Sequence, residues 1–169
     1  SINNMLDTYI SPLNLAAEYI DRISKGDLPP KITEEYHGDF NELKNNLNQC
    51  IDAISLLTED VKILSDSATT GDLHTRADVS KHQGSYATLV QGINKTLDAV
   101  VGPIEEAMRV AKEYASCNLS THFDQSISVQ GEFAEFRDSL DTIGIDISKT
   151  IENLHNEIES LSKHSSNAQ

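Results

Sequence analysis

A chain of 169 residues with 27 acidic against 13 basic side chains carries a formal net charge of −14. That balance argues against a nucleic-acid surface, which needs clustered Lys and Arg to neutralise phosphates. With no Trp, four Phe and five Tyr, the chain is also short of the large core residues of a compact globule, and suits long helices packed along their length.

The first periodic stretch runs through Ile2, Leu6, Tyr9, Leu13, Ala16, Ile20 and Ile23 in steps of four and three. Such spacing is the seam of a coiled coil. Pro12 falls inside it without shifting the phase, which predicts a nearly continuous helix with a local kink. Gly26, the pair Pro29-Pro30 and Gly38 then mark a connector. Its spaced apolar residues, Leu28 and Ile32, suit pins that fasten it to a helix surface. A second helix is expected on Phe40, Leu43, Leu47, Cys50, Ile54, Leu57, Val61, Leu64 and Ala68. The second connector lies between Gly71 and Gly84, with Leu73 and Val79 as its pins. A third helix follows through Ile93, Leu97, Val100, Ile104, Ala107, Ala111 and Tyr114, again with a proline, Pro103, inside the stripe. The third connector opens at Cys117, carries Leu119, Phe123 and either Ile127 or Val129, and closes at Gly131. The last helix takes Phe133, Phe136, Leu140, Ile143 and Ile147, then Ile151, Leu154, Ile158 and Leu161. At Leu89, Ile93 and Leu97, and at Ile143, Ile147 and Ile151, two successive steps of four make a stutter that locally unwinds a supercoil.

The stretches are copies. The segment from Ile2 to Pro12 returns 91 positions later as Ile93 to Pro103, and inside it lies a repeat of 45 to 47 residues. Gly26-Asp27-Leu28 recurs as Gly71-Asp72-Leu73 and Cys117-Asn118-Leu119. Gly38-Asp39-Phe40 recurs as Gly84-Ser85-Tyr86 and Gly131-Glu132-Phe133. A period of this size means one unit stacked in an array. Connectors of about 13 to 15 residues are long enough to restart the next helix in the same direction, whereas an antiparallel hairpin needs only about 2 to 8. An apolar stripe this narrow must be covered by other helices, of this chain or of a second copy.

Helix, glycine, long pinned connector, acidic helix start, helix: this pattern resembles the HAMP domain, the signalling linker of chemoreceptors and sensor histidine kinases. The resemblance covers nearly the whole chain. Its most specific parts are Pro12 to Ile32, with Gly38-Asp39-Phe40-Asn41-Glu42-Leu43, which are similar to the repeats of poly-HAMP methyl-accepting chemotaxis proteins and hybrid histidine kinases. Ala77 to Gly84 fits the alternate unit of such arrays. The resemblance implies an all-α, elongated, parallel homodimer of stacked four-helix-bundle units joined by near-continuous helices. Units are expected at 12–57, 58–101 and 103–150, with the tail of a preceding unit at 1–11 and an outgoing coiled-coil helix at 151–169. It implies structural roles for Gly26, Leu28, Ile32 and Gly38 in unit one, Gly71, Leu73, Val79 and Gly84 in unit two, and Leu119, Phe123 and Gly131 in unit three. The acidic helix start of the family falls on Glu42 and on Glu132 or Glu135. Unit two departs from it, since Ser85, Tyr86 and Ala87 offer no carboxylate, and unit three departs where Cys117 replaces glycine.

Nothing in the chain suggests catalysis: there is no phosphate loop, no nucleophile with a base, and no paired carboxylates in a plausible cleft. His37, His74, His82, His122, His155 and His164 form no close ligand pair, and Cys50 and Cys117 have no CxxC spacing, so neither a metal site nor a disulfide is expected. No cofactor is expected. No apolar run approaches a membrane span. The chain begins in mid-pattern, as a segment of a longer protein would. The expected function is a cytoplasmic linker array that relays conformational change from a sensory input to a kinase-controlling output in a chemoreceptor. Its expected partners are a second copy of itself and the adjacent sensory and output domains of the parent. Competing readings are the same relay in a hybrid sensor histidine kinase, a passive helical spacer, and a helical sensor binding a small molecule.

Overall fold

The computed structural model describes residues 2–167, with side-chain surroundings for 9–166. Ser1, Ala168 and Gln169, at the ends of the expected first and last segments, lie outside the described residues. The side chains of the seam residues Ile2 and Leu6 do so too. The architecture is all-helical: α1 (Ile2–Ser24), α2 (Asp39–Thr69), α3 (Gly84–Ala115) and α4 (Glu132–Asn167), with one 3-10 turn at Val79–Lys81 and no strand among the described residues. Pro12 and Pro103 both lie inside helices, α1 and α3. The stutters at Ile93 and Ile147 likewise fall within α3 and α4.

The helix ends follow from the sequence repeat. At the end of α1, Asp27 N–H reaches back to the Arg22 carbonyl (2.9 Å) and Gly26 N–H to Ile23 (3.0 Å). The same pair of bonds closes α2 through Asp72 and Gly71, and α3 through Asn118 and Cys117. This closure needs a left-handed residue just past the helix. Gly26 (φ 78°) and Gly71 (φ 89°) supply it without strain, and Cys117 is forced into it at φ 65°. At the other ends, Asp39 and Glu42 stand in the first turn of α2, and Glu132 and Glu135 in that of α4. There they compensate the positive end of the helix dipole. The first turn of α3 has no acidic residue.

The chain divides into two compact bodies, Ser1–Asn94 and Lys95–Gln169. In the first, Ala16 of α1, Ile32 of the connector and Leu47 of α2 form a core flanked by Leu15, Tyr19, Tyr36 and Leu43. Ile51, Leu64 and Val90 are buried further along. In the second, Val101, Ala107 and Val110 of α3 are buried, as is Phe123 of the connector. Several buried positions stand one residue away from the expected seam. Ile51 is buried beside exposed Cys50, and Val110 beside exposed Ala111. α2 and α3 therefore carry a broader apolar face than the seam alone. One edge is covered by the chain's own connectors and helices, and the other is left in water.

Candidate functional site: the docked connectors

The structure concentrates its specific polar contacts where each connector meets a helix. In the first connector the backbone of Ile32 is gripped by one side chain of α2. Ile32 N–H donates to Asn48 Oδ1 (2.8 Å), and Asn48 Nδ2 donates to the Ile32 carbonyl (2.9 Å). A side-chain amide carries a donor and an acceptor side by side on one planar end, so it can replace a strand partner for one residue. The second connector repeats the device. Ala77 N–H donates to Asn94 Oδ1 (3.2 Å) and Asn94 Nδ2 to the Ala77 carbonyl (2.8 Å). In the third, Asp141 occupies the same place, and its Oδ1 accepts the Phe123 N–H (2.9 Å).

A second contact differs from unit to unit at one helix position, eleven residues before the connector's opening residue. It is Leu15 in unit one, in the apolar core beside Tyr36. It is Asp60 in unit two, whose Oδ2 lies 2.7 Å from Nε2 of His82, a buried histidine of the connector. It is Glu106 in unit three, buried in α3 yet charged. Glu106 accepts from Arg109 Nε (2.8 Å) and Nη2 (2.6 Å) and from the Asp124 N–H (2.8 Å). The Arg109 hydrogen bonds hold the Glu106 carboxyl below the usual carboxylate range against the opposing effect of burial. The Tyr114 hydroxyl shares its proton between the carbonyls of Thr121 (3.0 Å) and Leu140 (3.2 Å). Burial, and then the Asp141 charge, push its pKa up.

Asx-type turns shape the second and third connectors from within. Asp78 accepts from the Ser80 N–H at the start of the 3-10 turn, Asp72 from His74 N–H, and Asp124 from Ser126 N–H. These bonds hold all three carboxyls below their ordinary range, Asp78 and Asp72 chiefly through a neighbouring hydroxyl and Asp124 chiefly through the backbone N–H.

The sequence-derived positions fall as follows. Ile32 and Phe123 are buried, at 5% and 2% exposure. Leu28, Leu73, Leu119 and Val79 are half-buried in the single chain, and the gripped residue of the second connector is Ala77. Gly38 and Gly131 immediately precede α2 and α4, Gly84 is the first residue of α3, and all three have positive φ. Glu42, Glu132 and Glu135 are exposed. The gripping residues Asn48, Asn94 and Asp141, and the buried Glu106 with Arg109, were not singled out from the sequence. The signal for the first three is present: each stands eight residues after the helix-start aromatic Phe40, Tyr86 or Phe133.

Among the described residues no group of three or more His, Cys, Asp or Glu could hold a metal ion, and no helix is long and apolar enough to cross a membrane. His155 is exposed on α4, with Glu159 one turn away at 3.6 Å. A depression lined by Cys50, Leu56, His82 and Tyr86 among others is an open groove. The site is thus one that docks backbone onto helices. The family model for the HAMP domain matches residues 1–56 and 81–149, well over half of the chain. HAMP domains are signal-transducing linkers of sensor proteins. With two matched segments and three connectors docked at equivalent positions, the chain belongs to the HAMP domain family, as a tandem array.

Proposed function

We propose that the chain is a conformational relay: a parallel homodimer of three stacked HAMP units, 12–57, 58–101 and 103–150, that carries a change in helix packing from a sensory input to a kinase-controlling output in a chemoreceptor. Residues 1–11 end a preceding unit and 151–169 begin the outgoing coiled coil. The observation that carries this reading is the apolar edge left in water. Leu13, Ile20, Val61, Ile143 and Ile147 are between 42% and 57% exposed, and Ile151, Leu154, Ile158 and Leu161 between 53% and 69%. Burying one such side chain is worth about 1.5–3 kcal/mol. About half of that remains to be gained at each position, so nine from each of two copies are of the size needed to offset an association cost of about 4–15 kcal/mol. The relay would lie in two alternative packings of that shared seam, biased from either end. The parent's sensory and output domains are its further partners, and the array itself works in the cytoplasm.

Sedimentation equilibrium tests the assembly. It should report twice the 18.6 kDa chain mass. Oxidation should link Cys50 to the Cys50 of a second copy, because a parallel seam brings identical positions together. A monomer, or a dimer that fails to cross-link at Cys50, rules out the parallel array.

A further inference from the structure

The 91-residue repeat allows the first and third units to be compared position by position: Leu15 corresponds to Glu106, Ile32 to Phe123 and, counted from the helix-start aromatic, Asn48 to Asp141. The first connector docks on α1 and α2 through the apolar Leu15 and Tyr36 and the neutral Asn48 amide, its ion pair to α2, Lys31–Asp52 (2.7 Å), being exposed to water. The third docks through charge at each of three consecutive residues. Arg109 Nη2 donates to the His122 carbonyl (3.0 Å), Asp141 accepts the Phe123 N–H, and Glu106 accepts the Asp124 N–H. A carboxylate has no donor. Asp141 therefore cannot repeat the two-point grip of Asn48, and the Phe123 carbonyl instead accepts a long bond from Gln125 (3.4 Å). Glu106 and Arg109 make up the difference from α3.

We propose that the third unit carries an ionic latch, in which Glu106, Arg109 and Asp141 hold residues 122–124 onto α3 and α4, and that acid opens this latch while the first connector stays docked.

The charged and titratable groups around Glu106 and its partner are Arg109 and Glu113 on α3, His122 and Asp124 on the connector, and Asp141 on α4. The Glu106 carboxyl is held below its ordinary range, first by Arg109. A depressed carboxyl contributes stability that is fully present above the unfolded-chain pKa and is lost as pH falls through the folded value. Asn48 has no proton to gain or lose in that range. The third connector's grip therefore weakens in acid where the Asn48 grip does not, although the two share a fold and a register.

Hydrogen exchange of single backbone amides in the whole chain reads this directly. Between about pH 7 and about pH 3, after correction for intrinsic exchange, the Phe123 and Asp124 amides should lose protection before Ile32 changes. Glu106→Gln should flatten the acid step at Phe123 and Asp124 and leave the Ile32 profile as it was, whereas Leu15→Ala should leave the acid step in place. If Ile32, Phe123 and Asp124 lose protection together, or if Glu106→Gln leaves the acid step as it was, the latch does not exist.

Discussion

Cys117 shows how much one side chain can cost at a fixed backbone. The closure of α3 needs a left-handed residue, and at the two equivalent places the chain uses glycine. A residue with a Cβ pays about 1–2 kcal/mol there. Glycine in turn loses more freedom on folding, by about 0.5–1 kcal/mol. The difference predicts that Cys117→Gly stabilises the chain by about 0.5–1 kcal/mol, read as a raised denaturation midpoint at unchanged slope. Gly144 is the converse case. A Cβ built on it would stand 2.4 Å from the Tyr114 hydroxyl oxygen. Units one and two have Ile51 and Leu97 where unit three has Gly144, and Ile23 and Ala68 where it has Tyr114. Across the sequence repeat the bulk is divided differently between the two positions. Gly144→Ala should cost about 1–3 kcal/mol through overpacking. Pairing it with Tyr114→Ile, which restores the unit-one pattern on α3, should recover most of the loss. Additive costs in the double variant would show that the two positions are not coupled.

At the scale of elements, the connectors are held by few residues, and burial ranks them. Phe123, at 2% exposure, should cost about 3–5 kcal/mol when changed to Ala. Leu73, half-buried in one chain, should cost less, about 1–2 kcal/mol for its share of covered area. Urea unfolding of the two variants checks the order. A cost for Leu73→Ala equal to that for Phe123→Ala would mean that a second chain covers Leu73. The helices and connectors were legible in the sequence, because steps of four and three interrupted by glycine at a fixed offset have one simple reading. Which edge of each apolar face turns inward was not. Cys50 and Ile51, or Ala111 and Val110, are neighbours of similar hydrophobicity, and only packing decides between them. The grips by Asn48, Asn94 and Asp141 were hidden for another reason. A single polar residue on a helix has no period of its own, and its meaning appears only when three units are aligned on their helix starts. Glu106 was harder still, since its equivalents Leu15 and Asp60 are chemically unlike it.

At the scale of the whole molecule, the differences between units matter more than their likeness. An array of identical units would have no preferred place to yield. Here the docking contact beside the core runs from apolar at Leu15, through the Asp60–His82 pair, to the charged cluster at Glu106. The helix starts differ too: α2 and α4 begin with two acidic residues each, and α3 with none. Ser85, exposed in that first turn, is where the difference can be removed. Ser85→Glu should stabilise the start of α3 by about 0.3–1 kcal/mol through the helix dipole. In a receptor that carries this array, a bias near 1 kcal/mol changes the ratio of two packing states roughly fivefold. Kinase output should then move clearly in one direction. A one-residue insertion after Val100 turns every later seam position about 100° around α3, and it should disrupt output far more strongly. The two variants separate a relay from a spacer. A spacer tolerates a new charge on an exposed helix start and needs only to keep its length. A relay is sensitive both to a small energetic bias and to the rotational phase of the seam. Output that ignores both changes would leave the array as a passive rod, whatever its oligomeric state.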